Sequence, residues 1–318
     1  MIFLSPDLFE DVDPENNYDF FANNIFPQCK YHTVPDYNNL FNKKSLSLIN
    51  CNIRSFNRNF DSLNSIFSDN NSPSVYCLTE THFSHSTMQN ISNYNSFHTI
   101  RNSDHAAGGI SLFVIDKLKA KKIDNLSYSN NTIEICTVEI EFGKQHVFIM
   151  GIYRPHSDSV DNFNTCFSDI LTNKLLKNKF CIITGDLNIC LLKPNNSNLN
   201  FSNLLFSHHY NPLITKPTRF PLIEGEQPSC LDHIWVNKYY DLDIGIINVD
   251  ITDHLPTFLN LKFDNNQQEE KIKIQFREIN DINKQKFHNL LSNFNWNNIL
   301  SQNTNLYAED FSLIHDNL

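Results

Sequence analysis

The stretch "TGDLN" sets Asp186 and Asn188 two residues apart, directly after the apolar run Phe180 to Ile183. A carboxylate can take a proton from water and an amide can hold that water or a charged oxygen, so the pair suits hydrolysis. In an extended chain, residues two apart share a face. Other strand-like runs lead into comparable groups: "SLSLIN" into Asn50 and Asn52, "SVYCLT" into Glu80, "HVFIMGI" into Tyr153, and "DIGIINVDI" into Asp253 and His254. Each has an ordinary explanation when taken singly. An Asn or Asp after a strand commonly closes a turn on its own backbone, Glu80 suits a solvated rim, Tyr153 can cap a core with a wet hydroxyl, and His254 can be a plain surface or core histidine. The combination is what these explanations leave unaccounted for. Five strands laid side by side would bring acid, amide, phenol and imidazole to one edge, where sites are commonly built.

The elements that must position these groups are short. Strand candidates are "SLSLIN", "SVYCLT", "GISLFVI", "IEICTVEI", "HVFIMGIY", "FCIIT", "LDHIWV", "DIGIINVDI" and "TFLNLKF", with helical patterns such as "NFDSLNSIF" and "VDNFNTCFSDILTNKLL" between some of them. Many strands with interspersed helices indicate a layered α/β domain. With 318 residues and 40% hydrophobic content the chain can bury a sizeable core, as one large or two ordinary domains. Three regions are expected: an acidic, Asn-rich N-terminal extension over 1–44, the core domain over 45–264, and a polar linker with an amphipathic helical tail over 265–318. In the tail, Ile282, Phe287, Leu290, Leu291 and Phe294 recur at mostly helical spacing.

Several classes are excluded or disfavoured. No apolar run approaches the roughly 18 residues of a membrane span, and the N-terminus turns acidic too early for a signal peptide. A soluble, intracellular protein is expected. The eight cysteines are scattered singly, with no CxxC pair, which suits reduced core thiols. Glycine is scarce and neither GxGxxG nor a GKS/T loop occurs. The net charge of −10 argues against non-specific coating of nucleic acid, while leaving room for a small basic cleft. "KAKK" at 119–122 reads as a solvated face, too short for a firm nuclear signal.

The segments "NCNIRS", "LTETHF", "GGISLFV", "GIYRP", "TGDLN", "KPTRF", "SCLDHIWV" and "TDHLPTF", in this order, resemble the endonuclease/exonuclease/phosphatase superfamily. More closely they resemble the apurinic-like endonuclease domain of non-LTR, LINE-type retrotransposons. The resemblance implies a four-layered α/β sandwich of the DNase I type, with two mixed β-sheets face to face and helices outside. It also implies a Mg²⁺-dependent DNA endonuclease, with Mn²⁺ as a substitute, whose nick leaves a 3′-hydroxyl able to prime reverse transcription. A reverse-transcriptase domain or element RNA in a longer parent protein would be partners, and the nucleus the compartment. The chain reads as a fragment, a truncated copy or a stand-alone derivative. The alternatives are a related phosphoesterase on abasic DNA or a small phosphate ester, and an inactive or domesticated binding module.

By the same resemblance, Asn52 and Glu80 belong to the metal site with Glu80 the direct ligand, and Asp253 borders it. A hard oxygen site of this kind suits Mg²⁺. Tyr153 faces the scissile phosphate, Asp186 positions or deprotonates the attacking water, and Asn188 holds that water or an equatorial oxygen. His254 meets the phosphate and Asp232 pairs with it. Thr218 and Arg219 are loop residues placed to contact a nucleic-acid backbone or simply to be surface groups, and Ser229 is either a hydrogen-bonding neighbour of the catalytic pair or a turn serine. His82 and His233 are expected to be structural, and Gly108 and Gly109 to permit a tight approach to a strand.

Overall fold

The computed structural model describes residues 27–41, 44–67, 72–101, 108–193, 195–221, 226–238, 240–263 and 281–293. Chain contacts divide it into a unit over residues 1–274 and a second over 275–318.

The first unit holds two mixed sheets. In one, the strands β1 (Tyr31–His32), β2 (Leu46–Asn52), β3 (Val75–Thr79), β4 (Tyr94–Thr99), β5 (Ile110–Ile115), β13 (Asp241–Ile247) and β14 (Thr257–Lys262) lie in the order β1-β13-β14-β2-β3-β5-β4. In the other, β6 (Lys119–Lys122), β8 (Glu134–Phe142), β9 (Gln145–Tyr153), β10 (Phe180–Asp186), β11 (Asn211–Pro212) and β12 (Asp232–Val236) follow the order β11-β12-β10-β9-β8-β6, and the short β7 (Tyr128–Ser129) pairs with β8.

Side-chain alternation explains the layering. Along β2, Leu46 and Leu48 join the core shared with the second sheet, whereas Ile49 and Cys51 join a separate aromatic cluster on the opposite face. Both faces are covered, so the strand is buried throughout. The aromatic cluster lies under helices α1 (Val34–Leu40) and α2 (Phe56–Ile66), which supply Tyr37, Phe56 and Leu63. Tyr37 meets Phe67 and Phe258 edge to face at 5.3 and 5.1 Å, geometry worth about 0.5–1.5 kcal/mol per pair beyond area burial. On the second sheet, α3 (Val160–Leu171) and α4 (Asn196–Ser207) contribute Phe163, Phe167, Phe201 and Leu205 to the core. The expected four-layered sandwich is the observed one.

Residues 31–40, expected to precede the core domain, are part of it. Thr33 and Asp36 form a capping box that starts α1, and β1 pairs in parallel with β13 through Tyr31–Ile246 and His32–Ile247. The expected strand "DIGIINVDI" ends at Ile247, so Asp253 and His254 sit on the loop that follows it. In the second unit, α5 (Asp281–Asn293) is the expected helix, with Leu290 exposed. The polar linker at 264–270, Phe294, and the side chains of Ile282 and Phe287 lie outside the described residues.

Gly185 lets β10 deliver Asp186. Its φ is +141°, and a Cβ there would overlap the carbonyl oxygen of Ile152 on β9. Gly185→Ala should therefore destabilise the fold by on the order of 3 kcal/mol, read as a lower midpoint in urea unfolding; an unchanged midpoint would show that β9 and β10 can separate locally.

Candidate active site

Register in the second sheet generates the site. Asp186 is opposite Tyr153 on the parallel neighbour β9 and opposite Asp232 on the antiparallel neighbour β12. Tyr153 is in turn opposite Glu134 on β8. Residues directly opposite across paired strands project to the same face, so Glu134, Tyr153, Asp186 and Asp232 form one row. The first sheet completes the site, because the amide of Asn52 at the end of β2 donates to Glu80 Oε1 at 2.9 Å and to Asp186 Oδ2 at 2.8 Å.

The strand that carries Asp186 ends there because its carboxylate takes over the next turn. Asp186 Oδ1 accepts the backbone N–H of Asn188 at 3.1 Å, and Asn188 adopts φ +51°, a conformation asparagine tolerates. The shared strand face expected for these two residues is thus replaced by a side-chain-closed turn. Asn188 Nδ2 donates to Arg154 O at 2.7 Å, and its Oδ1 is buried with no hydrogen-bond partner among the described residues. Arg154 holds the turn from below: its buried guanidinium donates to the carbonyls of Leu187 and Asn188 at 2.8 and 2.9 Å.

His254 and Asp232 are buried together, with Nδ1 and Oδ2 2.8 Å apart. Burial alone would draw the imidazolium down, but the charge and hydrogen bond of Asp232, helped by Asp186 and Asp253, outweigh it and lift His254 to about 9. It is therefore a cation at neutral pH, with Nε2 left for a ligand. Thr218, expected on a loop surface, is fully buried and donates its hydroxyl to Asp232 Oδ2 at 2.7 Å while accepting the Leu231 and Asp232 N–H groups. With no exposed surface, it orients the carboxylate instead of touching a partner. Ser229 is buried and pairs with Thr218 and Arg219 through its backbone. Asp186, facing Asp232 and Glu80, is pushed up to about 7 by burial and by those charges, against the opposing pull of His254 and Asn52.

Glu80 sits at φ +51° just beyond β3, a backbone region that costs a residue of this kind about 1–3 kcal/mol. Its Oε1 accepts from Asn52 and from the Tyr153 hydroxyl at 3.2 Å, and its Oε2 lies 3.8 Å from His82 Nε2. His82 is thus a neighbour of the site. His233 is structural as expected: it is buried, bonded to the carbonyls of Ile189 and Cys230, and held down at about 4 by burial. Asp253 lies between two arginines, with Arg54 Nε 2.9 Å from Oδ1 and Arg219 Nε 2.9 Å from Oδ2.

The donor set fits a hard divalent cation. Carboxylates Glu80, Asp186 and Asp232 crowd together, and the buried Oδ1 atoms of Asn188 and Asp232 lack hydrogen-bond partners among the described residues, a surplus of oxygen acceptors and negative charge that such a cation would relieve. Glu80 offers the more open carboxylate oxygen. Asn52 turns its amide nitrogen to the carboxylates, with Oδ1 accepting Arg54 N–H at 3.1 Å, so it steadies the carboxylates in this arrangement. Asp186, Asp232 and His254 also bring ligand-capable atoms within 4.8 Å of one another. A protonated imidazole committed to Asp232 is a poor metal ligand, which favours the Glu80 side.

Arg54, Arg101, Glu134 and His156 are site neighbours that the sequence does not assign a role. Only Glu134 carried a signal, as a lone acid inside the otherwise apolar run "TIEIC".

In EDTA, the two shifted groups give a pH dependence of stability with one sign. His254, raised from 6.5 to about 9, stabilises fully below pH 6.5 and loses that contribution as pH rises through 9. Asp186, raised from 3.8 to about 7, is disfavoured in its ionised form, so stability present below 3.8 is lost as pH rises through 7. The melting temperature of the metal-free protein should fall from pH 5 to pH 9, and Asp186→Asn should remove the lower part of the fall. A rise over that range would contradict both shifts.

The Endonuclease/Exonuclease/phosphatase family matches residues 49–254. No curated protein sequence matches the chain. Among solved structures, the endonuclease domain of TRAS1, a telomere-specific non-LTR retrotransposon, is similar at 14% identity and a TM-score of 0.54, over 69% of this chain and 98% of that one. The AP endonuclease LMAP from Leishmania major is similar at 13% identity and a TM-score of 0.57, over 77% and 95%. The catalytic domain of Xenopus laevis APE2 is similar at 16% identity and a TM-score of 0.52, over 68% and 91%. At these identities the likeness establishes the fold, and the family match spans the whole of the row together with Asn52, Glu80 and His254: the chain belongs to the endonuclease/exonuclease/phosphatase family.

Proposed function

We propose that the protein is a metal-dependent DNA endonuclease that hydrolyses a phosphodiester and leaves a 3′-hydroxyl. The observation that carries this reading is the buried His254–Asp232 pair beside Asp186, a cation and a base set side by side. The base takes the water's proton while the cation meets the charge that grows on phosphorus-bound oxygen.

Asp186, its basicity raised by burial and by the neighbouring carboxylates, accepts the proton of the attacking water, and Asn188 Oδ1, without a hydrogen-bond partner among the described residues, orients that water. His254 donates Nε2–H to a non-bridging oxygen, kept protonated and aimed by Asp232. The Tyr153 phenol is held protonated by burial and by Glu80, so it acts as a hydrogen-bond donor. Glu80 would hold Mg²⁺ or Mn²⁺, with Asn52 and Asp253 bordering it; the chemistry the ion supplies when bound is stabilisation of phosphoryl charge. Arg219, half-exposed beside Asp253, suits a contact to the DNA backbone. In a retroelement context the 3′-hydroxyl would prime reverse transcription, with a polymerase domain or element RNA as partner and the nucleus as the setting.

The deciding assay incubates the protein with supercoiled plasmid and Mg²⁺, with and without EDTA, beside an abasic oligonucleotide and bis(p-nitrophenyl) phosphate. EDTA-sensitive nicking of plain plasmid is expected. Cleavage restricted to abasic DNA, or turnover of the ester alone, would move the protein to a related phosphoesterase, and DNA binding without cleavage would make it a binding module.

Two sets of substitutions test the roles. Glu80→Gln should raise the Mg²⁺ concentration for half-maximal nicking and lower the rate; unchanged metal dependence removes Glu80 from the metal site. Asp232→Asn should lower kcat by roughly 10²–10³. Combined with His254→Ala it should be hardly worse than His254→Ala alone, because groups acting as one unit are non-additive. Additive losses would assign the pair to the fold instead.

A further inference from the structure

The fourth member of the row has no part in the steps above. Glu134, opposite Tyr153, has no solvent-exposed side-chain surface, and its carboxylate accepts Arg101 Nε–H and the Gly109 N–H, the latter at 2.6 Å. The Arg101 guanidinium lies over the Tyr153 ring, 5.6 Å from its centroid, and its Nη2 is buried with no hydrogen-bond partner among the described residues. Two glycines are needed to seat it. Gly108 has φ +108°, and a Cβ there would come 2.7 Å from Arg101 Cζ; Gly109 has φ +88° and turns its N–H onto Glu134.

The row is therefore built alike at its two ends. At one, buried Asp232 holds His254; at the other, buried Glu134 holds Arg101; Tyr153 and Asp186 lie between. Stability alone does not call for such a pair, since a buried ion pair is often replaceable by apolar side chains without loss. Guanidinium is suited to what lies between, because it presents several donors to phosphate oxygens and stacks on an aromatic face while doing so.

Resting on the phosphodiesterase reading, we propose that Arg101 is a second phosphate-binding cation of the site, aimed by Glu134, and that it contacts the scissile phosphodiester from the Tyr153 side opposite His254.

The test compares wild type, Arg101→Gln, Arg101→Lys and the double variant Arg101→Gln/Glu134→Gln for plasmid nicking and thermal melting. Arg101→Gln leaves a buried carboxylate unpaired and should melt lower, while kcat and kcat/KM fall together by about 10². Arg101→Lys should recover part of the rate, since charge returns without the fork. In the double variant the unpaired charge is gone, so melting should return toward wild type with kcat still as low as in Arg101→Gln. If instead the rate recovers along with the melting temperature, Arg101 and Glu134 only hold the fold and the proposal is overturned. A wild type that nicks while Arg101→Gln matches its rate per folded molecule overturns it as well. A wild type that cleaves no phosphodiester overturns the phosphodiesterase reading, and this one with it.

Discussion

The alignment of Tyr153, Asp186 and Asp232 abreast on three neighbouring strands is the constraint from which the site follows. With β10 parallel to β9 and antiparallel to β12, only one register on each side brings these three residues abreast. A slip of one residue would send Asp186 to the helix-covered face. The large apolar side chains between the sheets, such as Ile149, Ile182 and Val236, oppose that slip. Apolar packing fixes the register, and the register fixes the chemistry.

Against this rigid row stand groups on loops whose backbone is held in unfavourable conformations. Arg54, Ser55, Glu80, His82 and Asn188 all have positive φ, and all border the site. Cross-links hold them there. Ser55 N–H donates to Glu80 O at 2.8 Å, Thr252 Oγ1 donates to Asn52 O at 3.0 Å, and Arg154 fastens the 187–188 turn. A sheet can supply residues only at a two-residue period on one face, so a site that must surround a phosphate needs loops, and loops need such fastening to be accurate.

The strand pattern was legible because two covered faces leave nearly continuous apolar runs, and seven of the eight cysteines are buried in or beside them as expected. The pairing of Asp232 with His254 was carried by the family resemblance, and the geometry bears out the contact. Pairing across sheets was not legible: nothing in "NCNIRS" says that Asn52 bridges two carboxylates. Thr218 is buried although "KPTRF" reads as a loop, whose residues are expected to be wet. Here the segment pairs by its backbone with Ser229 and is drawn under Asp232. The core domain begins earlier than the expected residue 45, with the capping box of "TVPD" at 33–36 opening its first helix.

That boundary bears on how the molecule avoids sticking to itself. Strand β1 is only two residues long, yet it occupies the outer edge of β13, where the N–H groups of Ile246 and Asn248 bond to Lys30 and His32. Gly245 lies so close to the His32 ring that no Cβ fits, and His32 meets Phe258 edge on at 5.3 Å. Without residues 27–41 the sheet would end on an open, apolar edge, a template for pairing with a second chain. By covering that edge, the segment upstream of the family match works as a guard against edge-to-edge pairing.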